Sequence, residues 1–324
     1  MATLRRELAS QPADLVEMLV EQACAMGLLE RSDRPIDPRV EAMSALGRWN
    51  PEAGFFHMST RDVPFSSPQQ IASLARQARG SKAAPMPPPV KKYPRAAVVE
   101  LPLPSDVGEF PGVLKARRTW RRYGATPVTI AELATVLGLS AGVQFWVGKG
   151  RQRSALKTSP SGGARHAIEC YVVSRNVKGL TPGIYHYASD THRLERIGGP
   201  VPVERLKAYM PNSGYFAAAS AMVFFTAVFA RIRWRYPYSR AYRAALVEAG
   251  HVCQTFCLTA TWQRLAPYCV MGLADSLIEQ DLGIDGISEA VLYAAGVGRP
   301  PRGAVWRPLP RGPQPPIRRN PSFF

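Results

Sequence analysis

Apolar positions along this chain fall into a succession of short helical and strand-like periods, set between polar and proline-rich stretches. In residues 12–30, Leu15, Met18, Leu19, Ala23, Met26 and Leu28 recur at helical spacing, and Asp14 sits where the positive end of a helix dipole favours it. Residues 69–78 predict another short helix. In residues 130–139 the preceding Thr129 is a suitable N-cap and Glu132 stands at the capping-box offset. The basic stretch 142–160 shows no period and reads as a loop. Strand-like patterns follow: HAIECYVVS from His166, then GIYHYASDTHRLERI from Gly183, whose alternation about a Ser-Asp turn predicts a hairpin. Residues 203–210 read as a helix. The apolar run FAAASAMVFFTAVFA after Tyr215 holds 15 residues, fewer than the ~20 that cross a bilayer, and reads as a helix end feeding a buried strand at 221–230. Residues 239–265 predict a long helix, 268–273 a strand, 276–282 a short helix closed by Gly283, and 290–297 a strand.

Helices and strands mix here without βαβ regularity. No GxGxxG follows a strand and no GxxxxGK[ST] occurs, which argues against dinucleotide-binding and P-loop folds and for an α+β class. The prolines cluster, most densely in APMPPPVKKYPRAAVVELPLP, which reads as an extended linker, and in the Pro/Arg-rich end. The expected organisation is a small helical region at 1–60, a Pro-rich linker at 61–111, a main domain at 112–300 and a tail at 301–324.

Charge sharpens the picture. Lys and Arg number 41 against 24 Asp and Glu, a formal net charge of +17 that suggests an anionic partner. No aromatic-basic sheet pattern and no zinc-finger spacing supports nucleic acid. The five cysteines form no CxxC pair and the first ten residues contain no apolar signal-peptide core, so a reducing cytoplasm is expected. His251, Cys253 and Cys257 invite a metal reading, but on a helix 253 and 257 share a face that 251 leaves, and a fourth ligand is missing; no metal is expected.

Three segments carry candidate chemistry. Arg117, Arg118, Thr119, Trp120, Arg121, Arg122 and Tyr123 form the densest charge cluster. Guanidinium matches phosphate through paired N–H donors, and Thr119 adds a hydroxyl; a solvated basic face is the alternative. Ser159, Pro160, Ser161, Gly162 and Gly163 precede a strand, and adjacent glycines permit a flat ligand's close approach or merely a turn. Arg299, in the Gly-Val-Gly-Arg after the last strand, offers a second phosphate anchor or a structural terminus.

In this order the segments, with GLTPGIYHY from Gly179, AYRAALVEAGHVCQTF from Ala241 and LGIDGISEAVLYAAGVGRP from Leu282, resemble the FMN-binding nitroreductase superfamily. The resemblance is greatest to its SagB/McbC-type branch, dehydrogenases associated with thiazole- and oxazole-modified peptides, and runs from about Phe55 to Pro300. It implies a central mixed or antiparallel sheet flanked by helices, and a domain-exchanged homodimer with FMN at the subunit interface. It also implies a peptide substrate or a biosynthetic partner protein. Arg117, Arg118, Thr119 and Arg121 fall on the family's phosphate and ribityl positions, Arg299 on its C-terminal phosphate arginine, Pro160, Ser161 and Gly162 on the loop beside the isoalloxazine, and Met271 and Gly272 where backbone meets the flavin N5 edge. One departure stands out. Azole-forming members carry Lys-Tyr after the buried strand, and here the dipeptide is Arg235-Tyr236. Arginine does not give up its proton, so Arg235 is expected to hold an anion or developing negative charge, while Tyr236 can relay a proton. His251 reads as a packed histidine rather than a base. The expectation is a flavin dehydrogenase that passes hydride to N5 and is reoxidised by dioxygen. The alternatives are an NAD(P)H-driven nitro, quinone or ene reductase, with Arg233 and Arg235 receiving nucleotide phosphates, and a non-enzymatic basic scaffold or nucleic-acid-binding protein on a degenerate flavin fold.

Overall fold

In the computed structural model, the described residues are 12–25, 51–62, 107–149 and 153–304, with positions 69, 70, 73, 91, 95, 101 and 102. The chain divides into two units, residues 1–45 and 46–324. In the first, α1 (Ala13–Ala25) realises the predicted helical period, with Leu15, Met18 and Leu19 exposed. Residues 26–30, most of the predicted helix at 69–78, and nearly all of the Pro-rich stretches lie outside the described residues.

The second unit is organised around β8 (Ala221–Val228), whose sequence AMVFFTAV is buried on both faces from Ala221 to Ala227. A run of continuous apolar residues suits only a central strand, because neither face tolerates water. Around it, β4 (Ile168–Ser174), β6 (Gly183–Ala188), β7 (Arg193–Gly198), β9 (Ala266–Val270) and β10 (Glu289–Gly298) complete a six-stranded sheet in the order β7-β6-β4-β8-β10-β9. All neighbouring pairs are antiparallel. The edge strand β7 carries Arg193, Glu195 and Arg196 outward, charges that discourage further strand pairing. A separate parallel pair joins β1 (Val128–Thr129) to β5 (Val177–Lys178).

One face of the sheet is covered by α4 (Ile130–Ala141) and α7 (Ala241–Trp262), which pack on each other, while α7 crosses β4, β8, β9 and β10. Ala245, Ala249, Val252, Phe256 and Ala260 form its buried stripe; the alanines let it lie close, and full burial of Phe256 contributes about 2 kcal/mol. The other face holds Tyr209, Met210, Phe216, Phe224 and Tyr268 beneath α5 (Val203–Ala208) and α8 (Asp275–Leu282). The Thr129–Glu132 capping box is formed as expected, and Gly283 closes α8 in the left-handed conformation at φ 73°.

α2 (Pro51–Ser59) docks onto this unit through His57, whose ring lies between Tyr242 Oη and the Gly286 carbonyl, both at 2.8 Å. Burial lowers its pKa, so the ring is neutral; Nε2–H donates to the carbonyl and Nδ1 accepts from the tyrosine. α3 (Glu109–Ala116) leads into the arginine cluster.

Three sequence expectations need correction. Residues 142–160 are not simply a loop: β2 (Val143–Val147) and β3 (Ser154–Lys157) form an antiparallel hairpin. Its Phe145, Trp146 and Val147 all face solvent, so no inside-outside alternation marked it. The strand at 221–230 stops at Val228, and α6 (Phe229–Arg235) turns the chain, burying Phe229 and Ile232. The strand expected at 268–273 begins two residues earlier, at Ala266, which pairs with Gly298, and ends at Val270.

Candidate functional site

The loop after β3 is held from beneath by α7. Ser161 Oγ donates to Glu248 Oε1 at 2.7 Å and accepts the His166 N–H at 2.8 Å. Glu248 also accepts the N–H of Gly162 on Oε1 and of Ala167 on Oε2, both at 3.1 Å. A carboxylate this buried is tolerated because three donors answer it. Ser159 Oγ donates to the Ser140 carbonyl at 2.8 Å, and His251 Nδ1 meets the Pro160 carbonyl at 3.2 Å. His251 therefore steadies the loop. The loop's path demands unusual backbone: Gly163, Ala164 and His166 all have positive φ.

The Arg235-Tyr236 pair at the end of α6 lies against this loop. A Cβ on Gly163 would stand 3.1 Å from the Tyr236 hydroxyl and 3.5 Å from Arg235 Cγ; one on Gly162 would stand 3.5 Å from the Tyr236 ring. The glycines thus open a surface that the tyrosine flanks. Neighbouring Arg165 crosses the Trp234 ring at 5.1 Å, a cation–π contact.

The arginine cluster follows α3. Arg117 is its C-cap, and Arg118 Nη1 donates to the carbonyls of Lys115 and Arg117 at 2.8 and 2.7 Å. Arg118 thereby stabilises the helix end; burial, then the neighbouring Arg117 charge, lower its pKa. Trp120 is buried, and its backbone N–H bonds the Pro267 carbonyl at 2.9 Å, which ties the cluster to β9. Met271, just past β9 and before Gly272, is 75% exposed. Gly124 bonds the Arg299 carbonyl at 2.8 Å, so Arg299 leaves β10 beside the same segment. Its guanidinium is answered within the chain: Nη1 and Nη2 pair with Glu132 Oε1 and Oε2 at 2.9 and 2.7 Å, and Nη2 also meets the Pro127 carbonyl at 3.0 Å. The hydrogen bond from Arg299 and those from Thr129 pull the Glu132 carboxyl below its ordinary pKa, against the effect of burial.

The structure therefore assembles two groups. The segment that holds Arg117, Arg118, Thr119 and Arg121 runs along β9, with Arg299 at the Ala266 end of that strand and Met271 and Gly272 past its Val270 end. Pro160, Ser161 and Gly162 lie with Arg235 and Tyr236 over the middle of α7. That helix links them: Cys257, which feels the Arg117 charge, follows His251 by about 9 Å of helix rise.

A cavity of about 470 Å³ behind the loop was not anticipated. Lys157, His166, Glu169, His186, Glu195 and Arg231 line it. His186 lies between Glu169 at 3.2 Å and Glu195 at 2.8 Å, and these hydrogen bonds, Glu169 first, raise it to about 9 against the cost of burial. Arg231 pairs with Glu169 and also donates to the His166 carbonyl at 3.0 Å. Burial, then the Lys157 charge, lower His166 to about 4, and burial lowers Lys157. The available signal was cross-strand: Tyr171 opposes His186, which opposes Glu195.

An antiparallel sheet between helical layers thus carries an arginine cluster at one edge and a glycine loop at the other end of a crossing helix. The Nitroreductase family model matches residues 114–299, and the chain belongs to that family of oxidoreductases. It is 31% identical over 203 residues to the protein MJ1384 of Methanocaldococcus jannaschii, which carries the name "Putative nitroreductase", spanning 62% of this chain and 96% of that one. It is 32% identical over 149 residues to the trifolitoxin-processing protein TfxB of Rhizobium leguminosarum bv. trifolii, spanning 44% of this chain but only 39% of TfxB. Among solved structures, a chain of the E. coli microcin synthetase McbBCD complex with truncated pro-MccB17 bound superposes with TM-score 0.53 at 20% identity, over 82% of this chain and 98% of that one. A protein of Anabaena variabilis described as a "putative nitroreductase" gives TM-score 0.51 at 26% identity, over 60% of this chain and 38% of that one. The likeness to TfxB supports the SagB/McbC-type branch, and the microcin synthetase chain agrees in fold. Among the described residues no helix is long and apolar enough to cross a membrane.

The donor set fits a phosphorylated flavin at one point better than at two. The 117–121 segment offers guanidinium and hydroxyl donors, and the glycine pair leaves space that a Cβ would fill. Arg299 is already engaged by Glu132, and the Gly162 N–H by Glu248.

Proposed function

We propose that the protein is an FMN-dependent dehydrogenase that oxidises a peptide- or amino-acid-derived substrate, of the azoline-to-azole type, within natural-product biosynthesis. The observation that carries this reading is the packing of Arg235 and Tyr236 against the Gly162–Gly163 surface, which puts a permanent cation and a phenol beside the loop assigned to the isoalloxazine. Likeness to a trifolitoxin-processing protein supports a peptide substrate. FMN, when bound, supplies the two-electron acceptor, with dioxygen as the terminal oxidant. Arg117, Thr119 and Arg121 hold its phosphate and ribityl chain, and Pro160, Ser161 and Gly162 border its ring. Met271 and Gly272 would meet the edge of its ring that accepts hydride. A guanidinium does not serve as a base, so Arg235 positions an anionic group or stabilises negative charge as a carbon–hydrogen bond is broken. Tyr236 relays the released proton to solvent. Arg299 serves as a second anchor only by sharing or leaving Glu132. The working form is a homodimer that completes the site, and the setting is cytoplasmic.

The absorbance spectrum of purified protein tests the cofactor. Protein that is colourless, and stays so with added FMN, would overturn the reading. Rapid bleaching of bound flavin by NADPH would instead favour the reductase alternative; oxidation of an azoline peptide with uptake of oxygen supports the dehydrogenase.

A further inference from the structure

Cys253, Cys257 and Cys269 share one small volume away from the glycine loop. The first two stand one turn apart on the inner face of α7, and the third enters from β9, the strand on which that helix lies. All three Sγ atoms lie within 4.8 Å of one another, Cys253 and Cys257 buried and Cys269 half-buried. The sequence paired Cys253 and Cys257 with His251 and lacked further donors; the fold instead turns His251 to the Pro160 carbonyl and brings Cys269 across from the sheet. We propose that these three thiolates form a binding site for a soft, thiophilic metal cation of the Zn²⁺, Cd²⁺ or Cu⁺ class.

The geometry suits it. At a metal–sulfur distance of about 2.3 Å, thiolates around one ion stand about 3.8 to 4 Å apart, inside the spread seen here. Thiolates select such cations over hard ones. Ala295 of β10 pairs with Cys269, so Tyr293, two residues along that strand, stands on the same face of the sheet as the thiol. Three thiolates leave a bound mono- or divalent ion with net negative charge, and Arg117 sits close enough to act on both Cys257 and Cys269. A disulfide fits less well. Joining Cys253 to Cys257 would bridge one turn of a continuous helix, and joining either to Cys269 leaves the third thiol unanswered in a buried place. A metal takes all three.

The test is titration of the reduced, full-length protein with Cd²⁺, following the ultraviolet thiolate-to-cadmium charge-transfer band, then alkylation and peptide mass spectrometry. The expected result is one Cd²⁺ per chain, bound in preference to Zn²⁺, with Cys253, Cys257 and Cys269 protected together while Cys24 still reacts. Cys269→Ser is expected to weaken Cd²⁺ at least tenfold and Cys24→Ser to leave it unchanged. No saturable band, binding that Cys269→Ser does not weaken, or a disulfide between any two of the three in protein isolated without air would each overturn the proposal. If Cys269→Ser fails to fold, the protection pattern in the unsubstituted protein decides alone.

Discussion

At residue scale the proposed chemistry rests on one phenol. Tyr236→Phe keeps the ring against Gly162 and removes only the proton-bearing oxygen. It is expected to lower kcat for substrate oxidation by about 10²- to 10⁴-fold while flavin content holds, read by steady-state kinetics with absorbance of the same sample. His186 supplies a titration test. Its folded pKa, about 9, exceeds the ordinary 6.5. The charged ring therefore adds stability that is complete below about 6.5 and lost as pH rises through about 9. After screening of the part-exposed ring this is about 1 kcal/mol. The difference in Tm between the unsubstituted protein and His186→Gln should shrink as pH rises from 6.5 to 9.5; a difference flat across that range would contradict the assignment. The arginine cluster was legible in the sequence because it is contiguous. Glu132 as the partner of Arg299 was not, because 167 positions separate them and either residue reads equally well as surface charge.

At the scale of elements, what the sequence disclosed and what it hid divide by range. The capping box at Thr129 and Glu132, the left-handed Gly283 and the hairpin of β6 and β7 are set by neighbours in sequence and stand as expected. The β2–β3 hairpin hides because its large side chains face outward, and the start of β9 is set by β10 rather than by its own residues. The Cys269 donor was hidden for the same reason. β10 also explains two glycines that composition alone leaves open. A Cβ on Gly296 would fall 2.2 Å from the Tyr268 ring and one on Gly298 2.5 Å from that of Tyr123. These glycines make room for aromatic rings stacked over the end of the sheet. Gly296→Ala should therefore destabilise the protein by about 2–3 kcal/mol, visible in thermal or urea unfolding, since Tyr268 is fully buried and stacked on Phe216.

At the scale of the molecule, helix α7 spans both halves of the proposed site, meeting the loop through Glu248 and His251 and the arginine segment near Cys257. The double substitution Arg117→Ala with Arg121→Ala is expected to release FMN, with at least a hundredfold loss of affinity in fluorescence titration, while Arg299→Ala alone costs less than tenfold. Equal losses would mean that the phosphate takes Arg299 from Glu132. Sedimentation should show a dimer, and a flavin-retaining monomer would remove the partner subunit from the site.

The carboxylate of Glu132 has two duties: it accepts the N–H and hydroxyl of Thr129 at 2.8 and 2.9 Å, and it balances Arg299. Any anion that draws Arg299 away leaves that carboxylate to the helix cap alone. Occupancy at the edge of the sheet is then written into the opening rate of the first turn of α4, and amide hydrogen exchange at Thr129 becomes a gauge of ligand bound at Arg299.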